Sequence, residues 1–366
     1  MTTQLQAREA PSPERVAGAT AWLSWLKVVA IVGVISIHTA GFTAVIDGAR
    51  EKRHGQLGIL LDAGFLFAVP VFVLVSGALL LDPRRFTGTK EFLRRRAWRL
   101  VPALVFWHLF YWGFRAVKGN PLPWRTALAW TLNGKLSTGL YFFWIVLGLA
   151  VVAPLLIRWL ASADRAAVIA VGVAAAAMPV LSSATAEVRG VDLITVETPW
   201  TWWVFYVGYF LLGWGLRGVV LQRWALAATS VATAALAVLV VWQWHNAAAP
   251  GWLHALAPVS YYGLTVHLYA IGLFLLGQAV IRPDGVLRIL AGDRLARLGR
   301  VLADATLGVF AVHIAVLNLV WRLPLVGGEP AVASSLHLVA RVAAVVVLSY
   351  AVVLPLRRVP VVRRVI

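Results

Sequence analysis

The sequence has no cysteine and few charged residues. The lack of cysteine excludes disulfides, thiolate metal sites and an acyl intermediate carried on a cysteine. Charged residues make up 13% of the 366 positions, about half the share that soluble domains carry. No polar stretch is long enough to form a separate soluble domain.

Apolar residues dominate the chain. They make up 61% of it, and the mean hydropathy is +0.81. A helix needs roughly 20 apolar residues to cross the hydrocarbon core of a bilayer. The sequence therefore predicts an all-α integral membrane protein with about ten transmembrane helices. The predicted runs are 22–44, 57–81, 98–116, 139–160, 166–182, 200–217, 224–244, 258–281, 303–321 and 335–356; the fifth is short and contains Pro179.

The charges are strongly unbalanced, with 33 Lys and Arg against 15 Asp and Glu. A net charge of +18 would suit nucleic acid, but the arginines stand between apolar runs and not on amphipathic faces, so no nucleic-acid partner is expected. With residues 1–21 on the inner side, 23 Lys and Arg lie inside and 9 outside. This bias predicts cytoplasmic N- and C-termini in a multi-pass protein of a bacterial-type cytoplasmic membrane. The expected parts are a cytoplasmic segment 1–21, a ten-helix domain 22–356 and a basic tail 357–366.

The first predicted span contains two side chains, Lys27 and His38, whose insertion into a bilayer costs free energy. Lys27 and His38 are eleven residues apart, about three helical turns, so both project from one face at a separation of roughly 16 Å. Lys27 alone could be an interface anchor that reaches water, and His38 alone could be a packing residue. Their alignment and the depth of His38 favour a functional face.

Other charged or polar groups also fall within predicted spans, where each needs a stabilising partner. Asp62 and Arg341 share the predicted outer half with His38, so they could pair with each other, or Asp62 could orient His38. His108 and His267 are expected to be packing residues. The outer loops are rich in aromatic residues, such as Trp242 and Trp244, which could stack on sugars but are also typical of interfacial belts.

The segment before the third span is the most basic. Arg96 and Arg99 lie one turn apart where the helix enters the membrane, and guanidinium groups at that spacing can hold phosphates bidentately. Purely topogenic charge is the alternative. The cations of this segment are Arg84, Arg85, Lys90, Arg94, Arg95, Arg96 and Arg99.

These residues together resemble the integral-membrane acyltransferase-3 family, nearest to its surface-polysaccharide O-acyltransferase branch. Five elements occur in the family's order over nearly the whole chain. They are Lys27 and His38 in WLKVVAIVGVISIHT, the stretch AVPVFVLVSGALLL at 68–81 with Ser76, the RxxR element with Arg96, Arg99 and Pro102, YVGYFLLGWGL at 206–216, and TLGVFAVHIAVL at 306–317 with His313. Two positions depart from the pattern: Gly139 stands where the family often has histidine, and Phe310 where it tends to have tyrosine.

The resemblance implies transfer of an acyl group, usually acetyl, from cytoplasmic acyl-CoA to a hydroxyl of a glycan or glycolipid. No permanently bound cofactor and no metal are expected. His38 would be the general base or a transient acyl carrier, Lys27 would hold or polarise the donor, and His313 would have a second proton or positioning role. Acyl-CoA phosphates would meet the arginines, with Ser76 nearby. These site residues are Arg84, Arg85, Arg95, Arg96, Arg99 and Ser76.

Three other interpretations remain open from the sequence. The acceptor could be a macrolide or another small-molecule sugar, which some relatives acylate. A transporter or lipid-linked-glycan flippase would also place His, Asp and Arg within the membrane. A non-catalytic membrane scaffold would leave the alignment of Lys27 and His38 unexplained. Acceptor identity, acyl length and oligomeric state are not predicted.

Overall fold

The computed structural model describes residues 13–366 apart from positions 47, 50, 191–197, 247–250, 324–325, 327 and 329–331. All regular secondary structure in these described residues is helical. Residues 1–12 of the predicted cytoplasmic segment lie outside them. The α-helices are α1 (Pro13–Val45), α2 (Arg53–Gly64), α3 (Ala68–Leu80), α4 (Thr89–Val117), α5 (Trp124–Leu132), α6 (Tyr141–Leu160), α7 (Arg165–Val188), α8 (Val207–Leu216), α9 (Arg223–His245), α10 (Gly251–Leu256), α11 (Leu264–Val280), α12 (Asp293–Val320) and α13 (Ser335–Leu356).

The helices confirm a multi-pass membrane protein. In the described part of the chain, eight helical segments are long and apolar enough to cross a membrane, α2 and α3 counting as one span. The short fifth run is among them, because its helix extends to Val188 despite Pro179. The sixth and eighth runs form the shorter apolar helices Val204–Leu216 and Leu264–Val280. A total of ten crossings, and the orientation of the termini, stay predictions.

Local sequence explains where the second span is interrupted and where it ends. Helix α2 ends at Gly64 and α3 begins at Ala68, with Pro70 in the first turn of α3, where a missing backbone donor costs nothing. After α3, a short 3₁₀ helix, Pro83–Arg85, is capped by the Asp82 side chain, which accepts a hydrogen bond from the Arg84 backbone amide. This turn redirects the chain toward α4.

Helices α1, α3, α8 and α12 form the centre of the bundle. Helix α1 packs along α12, α2 and α3, while α3 packs on α8 and α8 on α7. The apolar core runs through these contacts, with Ile31, Leu74, Phe210 and Val309 almost fully buried. Since α1 is held along α12, the two helices bring their polar residues into the same interior.

The crossing of α3 and α8 depends on two glycines that face each other's helix. A Cβ on Gly77 would overlap the carbonyl oxygen of Phe210, and a Cβ on Gly213 would overlap that of Leu74. The backbones approach closely because neither residue has a side chain, as is common where membrane helices pack. Any larger residue must push the helices apart.

We therefore expect Gly77→Ala to lower the thermal unfolding midpoint of the purified protein, because overpacking a tight interface costs about 1–3 kcal/mol or more. Gly113→Ala is the matched control. Gly113 is also helical, yet a Cβ there would meet nothing within 4 Å. Its midpoint should stay the same or rise slightly, since alanine favours helix. Equal midpoints for the two variants would contradict the close crossing.

Candidate functional site

One end of the bundle contains a cavity of 330 Å³ around Lys27, here called the lysine cavity. Helix α1 provides Lys27, α3 provides Ser76 and α4 provides Arg96 and Arg99, so residues far apart in sequence meet there. Asp304 of α12 supplies the one carboxylate among the lining residues. Arg85 and Thr306 complete the polar lining. Four cations against one carboxylate make this cavity suited to an anion.

The lysine cavity continues into a larger basic groove of 830 Å³, here called the arginine groove. Arg99, Asp304 and Leu307 line both spaces, which makes them one connected surface. The C-terminal segment closes one side, because Trp107 of α4 donates a hydrogen bond to the carbonyl of Val365 at 2.6 Å. The arginines of the groove are Arg95, Arg99, Arg357, Arg363 and Arg364.

Two histidines from different helices stack in the interior. The rings of His38 on α1 and His313 on α12 lie 5.2 Å apart between centroids, at an interplanar angle of 30°. Nδ1 of His313 lies 2.5 Å from the Phe310 carbonyl; a carbonyl only accepts, so Nδ1 carries the proton. Nε2 of His313 is buried without a partner among the described residues. A neutral His313 therefore presents an unprotonated nitrogen to the interior.

An aromatic layer separates the histidine pair from the lysine cavity. Phe72, Phe142 and Phe310 line that cavity, and Phe310 contacts both the Phe142 ring, at 4.9 Å between centroids, and the His313 ring, at 5.7 Å. Gly139 lies against the same layer. A Cβ there would stand 3.4 Å from Cζ of Phe310 and 3.7 Å from Nε2 of His38, and its φ of +93° favours glycine.

A second cavity, of 660 Å³, opens beyond His38 at the opposite end of the bundle; we call it the histidine cavity. His38, Asp62 and Tyr111 line it. Tyr111 is fixed in place, since its hydroxyl donates to the Ala311 carbonyl at 2.7 Å and accepts from the Ala315 amide at 3.3 Å. His38 thus has the lysine cavity behind the aromatic layer on one side and an open cavity on the other.

Comparison with known families decides the class of this protein. The acyltransferase domain Acyl_transf_3 matches residues 20–356, so the match includes both cavities' helices and both histidines. The chain belongs to this family. It is a membrane acyltransferase. Searches of the curated proteins and of the solved structures gave no significant match.

The predicted donor-binding residues of the acyltransferase are not all in one place. Arg85, Arg96, Arg99 and Ser76 line the lysine cavity, and Arg95 lines the arginine groove. The Ser76 hydroxyl already donates to the Phe72 carbonyl at 2.8 Å. Arg84 is turned away from these spaces and lines a separate cleft with Arg165 and Arg217, because the 3₁₀ turn points adjacent side chains in different directions.

Among the ion pairs of the described residues, none joins Asp62 to Arg341. Arg341 is buried and donates to the carbonyls of Val326 at 2.9 Å and Gly328 at 2.7 Å. These carbonyls lie in the connection before α13, so the guanidinium finds acceptors within its own part of the chain. Asp62 instead lines the histidine cavity with His38, although no hydrogen bond joins their side chains among the described residues.

The two other membrane histidines of the acyltransferase each lie against a backbone carbonyl of their own segment. Nδ1 of His108 lies 2.7 Å from the Leu104 carbonyl. Nδ1 of His267 lies 2.9 Å from the Gly263 carbonyl, and its ring stacks on Tyr209 at 4.5 Å. Both therefore have a partner outside the His38–His313 pair, although Nε2 of His267 is buried without a hydrogen-bond partner among the described residues; the packing roles stay predictions.

Several site residues were missed by sequence reasoning. Asp304 stands at the start of the predicted ninth span, and a carboxylate at that position was a signal. Arg115, Lys118 and Lys135 line the histidine cavity; their signal was basic charge on the predicted outer side. No sequence pattern indicated that the C-terminal arginines would meet α4. In the described residues, no group of three or more His, Asp or Glu side chains could hold a metal ion.

The two cavities open at opposite ends of the bundle, which predicts opposite labelling in membrane vesicles. The natural chain has no cysteine, so single cysteines can be read without background. We expect an impermeant maleimide to label Asp304→Cys from one face only and Thr138→Cys from the other. Both positions are exposed and line the lysine and histidine cavities respectively. With cytoplasmic termini, Asp304→Cys should label from the inside; labelling of both from one face would contradict the arrangement.

Proposed function

We propose that this acyltransferase moves an acyl group, most simply acetyl, from cytoplasmic acyl-CoA to a hydroxyl of a surface glycan or glycolipid. The observation that carries the proposal is the position of the His38–His313 pair between two cavities. Donor and acceptor would approach this pair from opposite ends. The family supplies the reaction class, and the residues supply the assignment of each end.

The arginine end suits the donor. Acyl-CoA carries several phosphate charges, and guanidinium groups bind phosphates with strong, charge-assisted hydrogen bonds. The arginine groove would hold the nucleotide part, while the narrower lysine cavity would hold the thioester arm. Lys27 would then polarise the thioester carbonyl or fix its orientation. This end is the more basic one, which the positive-inside bias assigns to the cytoplasm, where acyl-CoA is made.

His38 suits the acceptor side as general base. An alcohol becomes a good nucleophile only as its proton is removed, and an imidazole near neutral pH is suited to this step. His38 would take the hydroxyl proton while the oxygen attacks the thioester carbonyl. The carbon–sulfur bond then breaks, and the CoA thiolate leaves and takes up a proton. His313, stacked on His38, would position its ring.

An acyl-histidine route remains within the same proposal. A neutral His38 nitrogen would attack the thioester, release the thiolate and hold the acyl group until the acceptor hydroxyl displaces it. We favour direct transfer, since it needs one step fewer. Both routes require that the acyl group pass the Phe142–Phe310 layer, because the donor cavity ends there.

Replacing His38 tests the catalytic role. We expect His38→Gln to lower turnover of acetyl-CoA with acceptor about 10²- to 10⁴-fold, the usual contribution of a general base. Acetyl-CoA affinity should change little, because His38 does not line the lysine cavity. The matched control is His245→Gln, at the exposed end of α9. Turnover at the wild-type level in His38→Gln would remove His38 from the mechanism.

Replacing single arginines tests the donor site. We expect Arg96→Gln or Arg99→Gln to weaken CoA binding about ten- to a hundredfold, since a hydrogen bond to a charged group contributes about 1.5–3 kcal/mol. Arg94→Gln is the control: Arg94 is on the same helix, lines neither cavity and pairs with Glu91 at 2.8 Å. Calorimetry on purified protein measures all three. If Arg96→Gln and Arg99→Gln bind CoA as tightly as Arg94→Gln, these arginines do not bind the donor, and topogenic charge is the better interpretation.

A further inference from the structure

We propose that the histidine cavity is built for an anionic acceptor, a glycan that carries a carboxylate or phosphate group bound by Arg115, Lys118 and Lys135. The inference rests on the proposed function, because the acceptor hydroxyl must reach His38. It adds the chemical class of that acceptor.

The cavity carries unbalanced positive charge. Its lining includes three Lys or Arg side chains and one carboxylate, that of Asp62. Ion pairs between described residues involve the clusters around Asp82, Glu91 and Asp284, and none includes the three cations. A cleft with low-dielectric walls and one sign of charge concentrates ligands of the opposite sign. The net charge of the lining therefore favours an anion.

Two of the three cations, Arg115 on α4 and Lys118 just after it, contact neutral groups and not carboxylates. Their positive charge can therefore still attract an anionic ligand. The guanidinium of Arg115 lies 4.7 Å over the Trp130 ring, and its buried Nε has no hydrogen-bond partner among the described residues. Lys118 donates to the Asn318 side-chain oxygen. Both are oriented without being neutralised.

The placement of these residues opposes the topology signal. Cations on the outer side work against positive-inside insertion. Nine Lys and Arg fall on the predicted outer side, and three of them line the histidine cavity. All three lie between the last turn of α4 and the start of α6, so this one connection brings its positive charge to the candidate base. A ligand that needs positive charge at this position explains the concentration.

The remaining walls suit a sugar. Phe42, Trp244 and Trp321 line the same cavity, and the Phe42 and Trp321 rings meet edge to face at 5.7 Å. Aromatic faces provide apolar area for sugar rings, and the polar edges remain free to bond elsewhere. A volume of 660 Å³ lies within the range of small-molecule sites. Positive charge in the same space disfavours cationic amino sugars.

The experiment compares charged and neutral probes on the full chain in nanodiscs of zwitterionic lipid. The probes are a galacturonic acid tetramer and the same tetramer with its carboxyl groups reduced to alcohols. We expect the acidic tetramer to bind at least tenfold more tightly, and its advantage to shrink as salt rises. Measurable binding of both tetramers with equal affinity would overturn the proposal.

Charge-removing variants connect the preference to the cavity. Lys118→Gln/Lys135→Gln should cut affinity for the acidic tetramer about tenfold or more. Arg125→Gln is the matched control, because Arg125 is a cation of the same region that lies over Trp124 at 5.4 Å and does not line the cavity. An unchanged affinity in the double variant, or an equal loss in the control, would overturn the proposal.

A second arm separates a sugar carboxylate from a carrier phosphate. Galactose linked to a polyprenyl phosphate, incorporated in the nanodisc, presents its anion on the lipid. Binding of this probe alone, sensitive to the double variant, assigns the anion to the carrier; binding of the acidic tetramer alone assigns it to the sugar. Failure of both anionic probes to bind the wild-type protein would overturn the proposal.

The experiments distinguish failure of the proposed function from failure of this inference. Acetyl-CoA binding to the wild-type protein and the His38 dependence of turnover report the donor reaction alone. If both are observed but the neutral tetramer is preferred, only the anionic-acceptor inference is wrong. If acetyl-CoA does not bind while the acidic tetramer does, the site exists and the donor assignment is wrong.

Discussion

The packing of α1 along α12 is the contact on which the rest of this site depends. It places the Lys27–His38 face of one helix against Asp304, Phe310 and His313 of the other. Since polar groups within a membrane are costly unless they meet a partner or line a cavity, this contact must leave space at both ends. The bundle satisfies the requirement with two cavities, which the histidine pair and the aromatic layer separate.

The sequence predicted positions along helices better than neighbours between them. Periodicity put Lys27 and His38 on one face, about three turns apart, and the structure assigns them to two different cavities. Helical spacing is set within one segment, so it can be read directly. The partner of Arg341 could not be read in this way. Depth suggested Asp62, but carbonyls of the connection before α13 take the guanidinium.

Residues of one short basic segment were also impossible to separate by sequence. Arg84 and Arg85 are adjacent, yet the 3₁₀ turn capped by Asp82 sends them to different spaces. The space that each of two adjacent side chains lines depends on the geometry of the turn, not on the composition of the segment. In contrast, Arg96 and Arg99 share a continuous helix, and their predicted common face is found in the lysine cavity.

The two departures from the family pattern meet beside the histidines. Gly139 approaches both Phe310 and His38, and Phe310 contacts His313. Glycine in place of histidine removes a side chain next to Nε2 of His38, and phenylalanine in place of tyrosine removes a hydroxyl from the aromatic layer. Both changes make the region between the cavities less polar. The acyl transfer proposed above needs such a layer, because water reaching the thioester would compete with the acceptor.

The positive charges of the two cavities lie on opposite sides of the aromatic layer, and this affects which groups can pass between the cavities. The lysine cavity holds Lys27, Arg96 and Arg99, and the histidine cavity holds Lys118 and Lys135. A charged donor or acceptor is stabilised within its own cavity and destabilised in the aromatic layer, since moving an ion into an apolar medium is costly. A short neutral acyl group does not carry that cost. The same electrostatics that would retain two anionic substrates at opposite ends would therefore let only the transferred group cross between them.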